Sequence, residues 1–219
     1  MRLLRSVIVL ISFIWLSVSA QAAGEPPRFD GIYGGFVGGY GFIDDASIGV
    51  NAGPAAKFDL HGPLAGLTGG WNWKHEGWLL GIEADGQALG MQDTVTNCVG
   101  GCNVTADIDG LVTARGRVGY LFGDDQQIAA YATGGLALVW LGVRNNPLGV
   151  STEWTEVTYA VGGGIEGYLF GTDWMSTKLE YLYVGLDAKR NALVNTADTG
   201  RYRFDGMHLI RWGLNIHFN

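Results

Sequence analysis

Four carboxylates and four cations stand at spacings that put them on common strand faces: Glu83 with Asp85, Arg115 with Arg117, Lys178 with Glu180, and Glu166 and Arg211 singly. Residues i and i+2 of an extended chain project to the same side, so each pair shares a face. Brought together inside a narrow fold, equal numbers of acids and bases would form a crossed network of ion pairs and hydrogen bonds. Charge buried without such partners would be too costly. Hydrolytic chemistry would need a Ser or Asp nucleophile, a His base and an orienting acid. Beyond the N-terminal leader the serines are Ser47, Ser151 and Ser176, and none has a histidine nearby in sequence. No catalytic residue is therefore nominated.

Other chemistry is weaker. His61, His75, His208 and His217 are scattered without metal-ligand spacing. Asp44, Asp45, Asp107 and Asp109 lack the spacing of a calcium loop and read as solvated charge. Gly162-x-Gly164-x-x-Gly167 matches a dinucleotide fingerprint in letters, but Tyr168–Asp173 leads into a turn rather than the helix that motif requires. Glycines thinning a sheet wall explain it. No metal and no cofactor is expected. Cys98 and Cys102 lie four residues apart without a second Cys/His pair, so a small disulfide loop is expected in an oxidising compartment.

The elements that would position these groups are strands. In the C-terminal segment Gly206–Asn219, Ile210, Trp212, Leu214, Ile216 and Phe218 share one face, and Arg211, Asn215 and His217 the other. A strand that is apolar outside and polar inside suits a barrel whose outer wall meets lipid. Similar alternation recurs in Gly31–Phe42, Leu64–Lys74, Gly77–Leu89, Ile108–Phe122, Gln127–Trp140, Trp154–Phe170 and Trp174–Leu186. The expected fold is all-β, a closed antiparallel transmembrane β-barrel of about eight strands. Tight connections (Lys74–Gly77, Gly123–Gln126, Gly171–Asp173) alternate with longer polar ones (Ile43–Pro63, Gly90–Asp107, Leu141–Glu153, Asp187–Asp205), which predicts short turns on one side and long loops on the other. Trp71, Trp73, Trp78, Trp140, Trp154, Trp174 and Trp212 near strand ends suit interfacial girdles.

The N-terminus supplies an export signal: two arginines in Met1–Arg5, an apolar run over Ser6–Ala20, and the small-x-small site Ala20-Gln21-Ala22. Residues 1–22 are thus expected as a cleaved signal peptide and 23–219 as a single barrel domain. The net charge of −7 disfavours a nucleic-acid partner.

Several segments together resemble a known family, the small outer-membrane β-barrel proteins of alphaproteobacteria, a surface-antigen class with an OmpA-like barrel often placed in a porin family. They are Gly31–Phe42, Thr113-Ala-Arg-Gly-Arg-Val-Gly-Tyr120, Ala130-Tyr-Ala-Thr-Gly-Gly-Leu-Ala137, Val161-Gly-Gly-Gly-Ile-Glu166 and Lys178-Leu-Glu-Tyr-Leu-Tyr-Val184. The resemblance implies a non-enzymatic structural or surface-interaction role in the outer membrane of a Gram-negative cell. The implied partners are membrane lipid and lipopolysaccharide, with host or envelope proteins meeting the loops. The last strand, with Trp212, Leu214, Ile216 and Phe218, would engage the barrel-assembly machinery. An eight-stranded interior is narrow enough for side chains to fill, so a plugged lumen is expected. A small-solute porin and a lipid-modifying enzyme are the alternatives.

Overall fold

The computed structural model describes residues 29–50, 56–96, 103–123, 126–169, 172–193 and 199–218. The leader 1–22 and both cysteines, Cys98 and Cys102, lie outside the described residues. Period-two alternation, rich in glycine, aromatic and β-branched residues, extends through every long segment, and each one is a strand. They are β1 (Gly31–Val50), β2 (Ala56–Phe58), β3 (His61–His75), β4 (Trp78–Val95), β5 (Val104–Phe122), β6 (Ile128–Asn145), β7 (Val150–Tyr168), β8 (Met175–Leu193) and β9 (Thr199–Phe218).

All pairings are antiparallel, and β3 to β9 follow one another in chain order. β1 pairs with β3 on one side and with β9 on the other, from Ile32 opposite Phe218 to Val50 opposite Gly200. The sheet therefore returns to its first strand as a ring, with the short β2 folded back on the end of β1. At one end of the ring, β3 and β4 join through Glu76-Gly77, with φ of 48° and 84°. Positive φ at both central residues is the two-residue hairpin geometry that matches strand twist. This turn end also holds the first and last described residues, Phe29 and Phe218.

The strands are longer than the alternation over 31–42 or 108–122 suggests, and their character inverts partway up. Near the turn end, β5 presents Tyr120, Val118 and Val112 outward and buries Arg117, Arg115 and Thr113. Beyond a register shift between Ile108 and Gly110, Ile108, Ala106 and Val104 are buried and Asp109 is exposed. β9 does the same: Phe218, Trp212 and Ile210 point out over buried His217 and Arg211, whereas Arg203 and Arg201 point out over buried Phe204 and Tyr202. Gly206 sits at that change with φ +45°, a conformation that L side chains rarely adopt.

Much of what reads as long polar loops is thus sheet. Gly90–Asp107 supplies the ends of β4 and β5, and Leu141–Glu153 contains only the four-residue turn Asn146–Gly149 between β6 and β7. Polar residues at every second position resemble loop composition, yet here they are the wet face of a strand whose other face packs an apolar core.

This upper part of the ring, where inward positions are apolar, forms a collar in which the ring is divided. β7 and β8 pair only from Tyr168–Ser176 to Ala160–Val184. Above that, Val150–Tyr159 pairs with β6 alone and Asp187–Leu193 with β9 alone. β3 and β4 likewise stop pairing at Leu64–Leu89. The collar therefore consists of two leaves, β4–β5–β6–β7 and β8–β9–β1–β2, with Val104, Ile108, Leu141, Leu186, Tyr202 and Phe204 among the residues buried between them.

Candidate functional site: the charged layer inside the ring

Below the collar, the inward positions of five strands build one charged layer. Glu83 and Asp85 come from β4, Arg115 and Arg117 from β5, Glu166 from β7, Lys178 and Glu180 from β8 and Arg211 from β9, all buried. Arg115 is the hub. Its Nη2 donates to Glu83 Oε1 at 2.5 Å and to Asp85 Oδ2 at 2.7 Å, and its Nη1 donates to Glu180 Oε1 at 3.0 Å. Its Nε donates to Thr113 Oγ1, which in turn donates to Asp85. Arg211 bridges Asp85, at 3.1 Å, and Glu180. Lys178 donates to Glu83 at 2.5 Å, and Arg117 donates to Glu166 at 2.7 Å. The layer holds four acids and four bases, so every charge is opposed by several of the other sign, the condition under which buried charge is tolerable.

Tyrosines complete it. Tyr33 of β1 donates to Glu83 at 2.7 Å and accepts from Arg117, and Tyr131 of β6 donates to Glu180 at 2.9 Å. The Arg117 guanidinium lies 4.0 Å from the Tyr131 ring centroid, within cation–π range. Gly164, in the fingerprint-like run, gives this ring its room: a Cβ there would lie 2.9 Å from the Tyr131 hydroxyl. Sequence reasoning did not single out Tyr33 or Tyr131 for this layer. Their inward parity within β1 and β6 was the available signal.

Towards the turn end lies an arrangement that resembles nucleophile chemistry. Ser176 Oγ stands 2.8 Å from His217 Nε2 and donates to Glu166 Oε1 at 2.6 Å. Asn215 Nδ2 donates to the same carboxylate oxygen at 2.8 Å. The spatial pairing of Ser176 with His217 is invisible in sequence, since 41 positions separate them. It is not the geometry of an activated serine, in which the base takes the serine proton and the acid holds the far side of the imidazole. Here the carboxylate itself accepts that proton, and both groups crowd the same hydroxyl. Serine, histidine and glutamate are all buried.

A small apolar seal covers this end. Phe29, Leu79, Leu121 and Ala129 are buried together with Tyr168 packed beside them. The Phe29 ring lies 4.6 Å from that of Tyr168 and 5.9 Å from that of His217. The interior therefore has three levels, an apolar seal, a charged layer and the apolar collar, rather than the uniformly polar lumen that the terminal strand suggests.

The remaining candidates lie elsewhere. His208 is on the outer face, between Asp44 (2.8 Å) and Tyr181 (2.5 Å). His61 contacts Asp59 at 3.3 Å, and Asp45 contacts Lys57 at 3.7 Å. His75 ends β3 and is exposed. Among the described residues no group of three or more His, Cys, Asp or Glu side chains is placed to hold a metal ion. Trp154 departs from the girdle expected of it: it is buried on the inner face of β7, because inward positions in the collar are apolar. Leu214 is half-buried on the outer face of β9, where Trp212, Ile216 and Phe218 are exposed.

Residues 8–218 match the family described as outer membrane protein β-barrel domain. The chain belongs to that family. No curated protein matches it in sequence. Among solved structures, this outer membrane β-barrel protein is similar to the outer membrane protein OprG from Pseudomonas aeruginosa, at 16% identity and a TM-score of 0.58, covering 87% of this chain and 98% of that one. It is also similar to Ail, the attachment invasion locus protein of Yersinia pestis (12% identity, TM-score 0.41, covering 85% and 99%), and to the outer membrane protease OmpT from Escherichia coli (10%, 0.46, covering 91% and 100%). At these identities the likeness to OprG speaks for the fold alone.

Proposed function

We propose that the chain spans the outer membrane of a Gram-negative bacterium as a closed, plugged barrel, with a structural and surface-interaction role and no catalytic activity. The observation that carries this is the pairing of opposite faces at one level. Outward, Phe36, Leu67, Ile82, Leu136, Ile165 and Leu179 are each more than half exposed. Directly inside them lie ionised groups with almost no solvent contact. Water would favour the reverse, and only a surrounding lipid phase stabilises it. Aromatic residues edge this band: Trp71, Trp73, Trp78, Tyr120 and Trp174 towards the turn end, and Tyr40, Phe42, Trp140, Tyr159 and Tyr181 towards the collar.

Strand length supports the same reading. A membrane strand needs ~9–11 residues, whereas β5 has 19 and β9 has 20. The excess is the collar, standing outside the lipid with its wet face outward. Lipopolysaccharide would meet the outer wall, and host or envelope proteins would meet the collar. The terminal strand with Trp212, Leu214, Ile216 and Phe218 would be the assembly machinery's recognition element. The filled charged layer argues against a small-solute porin, and the committed proton of Ser176 argues against a lipid-modifying hydrolase.

Two measurements test the proposal. On unboiled gels of membranes from expressing cells, the band should run faster than after boiling and begin near Ala23. An unshifted band would refute the closed barrel. In planar bilayers the purified protein should give no discrete conductance steps, and steady steps would refute the plug and favour the porin.

A further inference from the structure

A carboxylate, an imidazole and a phenol stand in line on the outer wall, where β8, β9 and β1 run side by side. His208 makes both contacts: its Nε2 lies 2.8 Å from Asp44 Oδ2, and its Nδ1 lies 2.5 Å from the Tyr181 hydroxyl. The partners fix the protons. An ionised carboxylate only accepts, so Asp44 takes the Nε2–H. In the neutral ring Nδ1 then keeps its lone pair, and the phenol donates to it. This is the order that Ser176 lacks, with the base facing the hydroxyl and the acid on the far side of the ring.

Packing holds the imidazole in that line. Tyr183, His208 and Phe42 form one row across the three strands. The Phe42 ring stacks on the imidazole at 5.0 Å and 7°, and the Tyr183 ring lies 5.1 Å from it. Gly206 leaves Asp44 its place, since a Cβ there would stand 3.0 Å from Oδ2. The His208 side chain is 18% exposed and Tyr181 is 45% exposed, so the base is shielded while the phenol is reachable. Tyr40 and Tyr120, exposed by 49% and 44%, are the contrast. Among the described residues they have ring neighbours (His61 for the first, Trp78 and Phe122 for the second) rather than a base at the hydroxyl.

A phenol that gives up an electron must also give up its proton, because the cation radical is strongly acidic. A base already hydrogen-bonded to the hydroxyl receives that proton without rearrangement. We propose that Tyr181 is a redox-active tyrosine, a reversible one-electron donor to oxidants of the high-valent metal-complex class that reach the outer wall. One electron passes from the ring to the oxidant, the phenolic O–H bond breaks, and its proton forms an N–H bond at His208 Nδ1. The oxidant is reduced by one electron. A neutral phenoxyl radical is left beside an imidazolium that Asp44 holds in a charge-assisted hydrogen bond. Return of one electron to the ring and of the same proton to the oxygen restores the phenol. The proposal goes beyond the barrel reading and needs only the pairing of β9 with β8 and β1.

The test uses the full chain refolded in detergent, hexachloroiridate as oxidant and a nitroso spin trap, with the trapped sites mapped by peptide mass spectrometry. Tyr181 should be labelled first, ahead of Tyr40 and Tyr120. His208→Phe should slow its labelling about tenfold or more, since a positioned base commonly contributes at least that much. Asp44→Asn should slow it less, because the amide oxygen still orients the ring but carries no charge to hold the imidazolium. Tyr181→Phe should remove this label without raising that on Tyr40 or Tyr120. Equal labelling of the three tyrosines, or labelling of Tyr181 at the parent rate in His208→Phe, would show that exposure alone decides and overturns the proposal. So does labelling confined to tryptophans, or no label at Tyr181. The mobility shift on boiling, read on each sample, reports the fold. If His208→Phe fails to shift, the Asp44→Asn rate decides, and a rate equal to the parent's overturns the proposal.

Discussion

Trp154 and Phe204 meet across the collar with ring centroids 6.0 Å apart, although β7 and β9 share no backbone pairing. The contact joins the two leaves where the sheet does not. The collar's leaves are thus joined by side-chain contacts, among them the Asp59 N–H donating to Asp93 Oδ2 and Thr158 Oγ1 donating to the Gly185 carbonyl, while the lower ring is held by continuous hydrogen-bonded ladders. Replacing Trp154 with alanine should cost ~3–5 kcal/mol locally, the usual penalty for truncating a buried aromatic. The expected outcome is faster proteolysis within the collar with the mobility shift on boiling retained. Loss of the shift would mean that the collar and the lower ring fold as one unit.

Arg115 contacts Glu83, Asp85, Glu180 and Thr113 at once. Arg115→Met leaves three carboxylates crowded together with a cation missing. Removing one partner of a buried ion pair typically costs ~3–5 kcal/mol, and urea unfolding in detergent should show a loss at the upper end of that range. Arg115→Lys should recover part of it, since one ammonium cannot reproduce the forked contacts. A neutral result for Arg115→Met would show that the surrounding acids simply take up protons.

Asp107 faces outward on the collar, away from the apolar-walled part of the ring. Partial burial, reinforced by Asp109 and only partly offset by Arg144, pushes its carboxyl up from 3.8 to about 6. A raised carboxyl pKa means that the folded protein holds the proton more tightly than the unfolded chain. The carboxylate imposes no penalty below the ordinary value, and the full penalty once the pH passes about 6. Asp107→Asn should therefore match the parent near pH 3.5 and exceed it in stability at pH 7.5, by about 1 kcal/mol after allowing for solvent screening. Denaturation midpoints at the two pH values check this. An equal gain at both would assign the effect to something other than ionisation.

Gly206 combines φ +45° with close neighbours, Asp44 Oδ2 and the Tyr183 hydroxyl at 3.0 and 3.1 Å from where a Cβ would stand. Gly206→Val should cost ~1–3 kcal/mol in backbone strain, with a further loss from displacing Asp44 from His208. Thermal melting of the refolded protein would register both. A double variant with Asp44→Ala should separate the strain from the contact.

Within the lower ring the alternation was legible because each strand there has one apolar, exposed face and one polar, buried face, the pattern that the proposed lipid surroundings would favour. The parity that put Arg115 and Arg117 inside and Val118 and Tyr120 outside follows from composition alone. In the collar the two faces exchange character, and the same parity rule produces Asp107 and Asp109 outside with Ala106 and Ile108 inside. Such segments carry loop-like composition unless the phase is followed through the register shifts. Which charge meets which was not legible, because Lys178 and Glu83 stand 95 positions apart and meet only through the interior. Ser176 and His217 are visible in the sequence as residues, but their adjacency depends on β8 pairing with β9.

Phe29 has one further meaning, which concerns the closing of the ring. It precedes the first strand, yet its backbone N–H binds the Tyr168 hydroxyl 139 positions later, and its ring packs near His217, almost the last residue described. Leu79, Leu121, Ala129 and Tyr168 around it come from β4 to β7, whereas His217 comes from β9, which pairs with β1. The Phe29–His217 contact is therefore the part of the seal that exists only in the closed ring. A fluorophore in place of Phe29 would report that closure, its signal changing on refolding together with the pairing of β1 and β9.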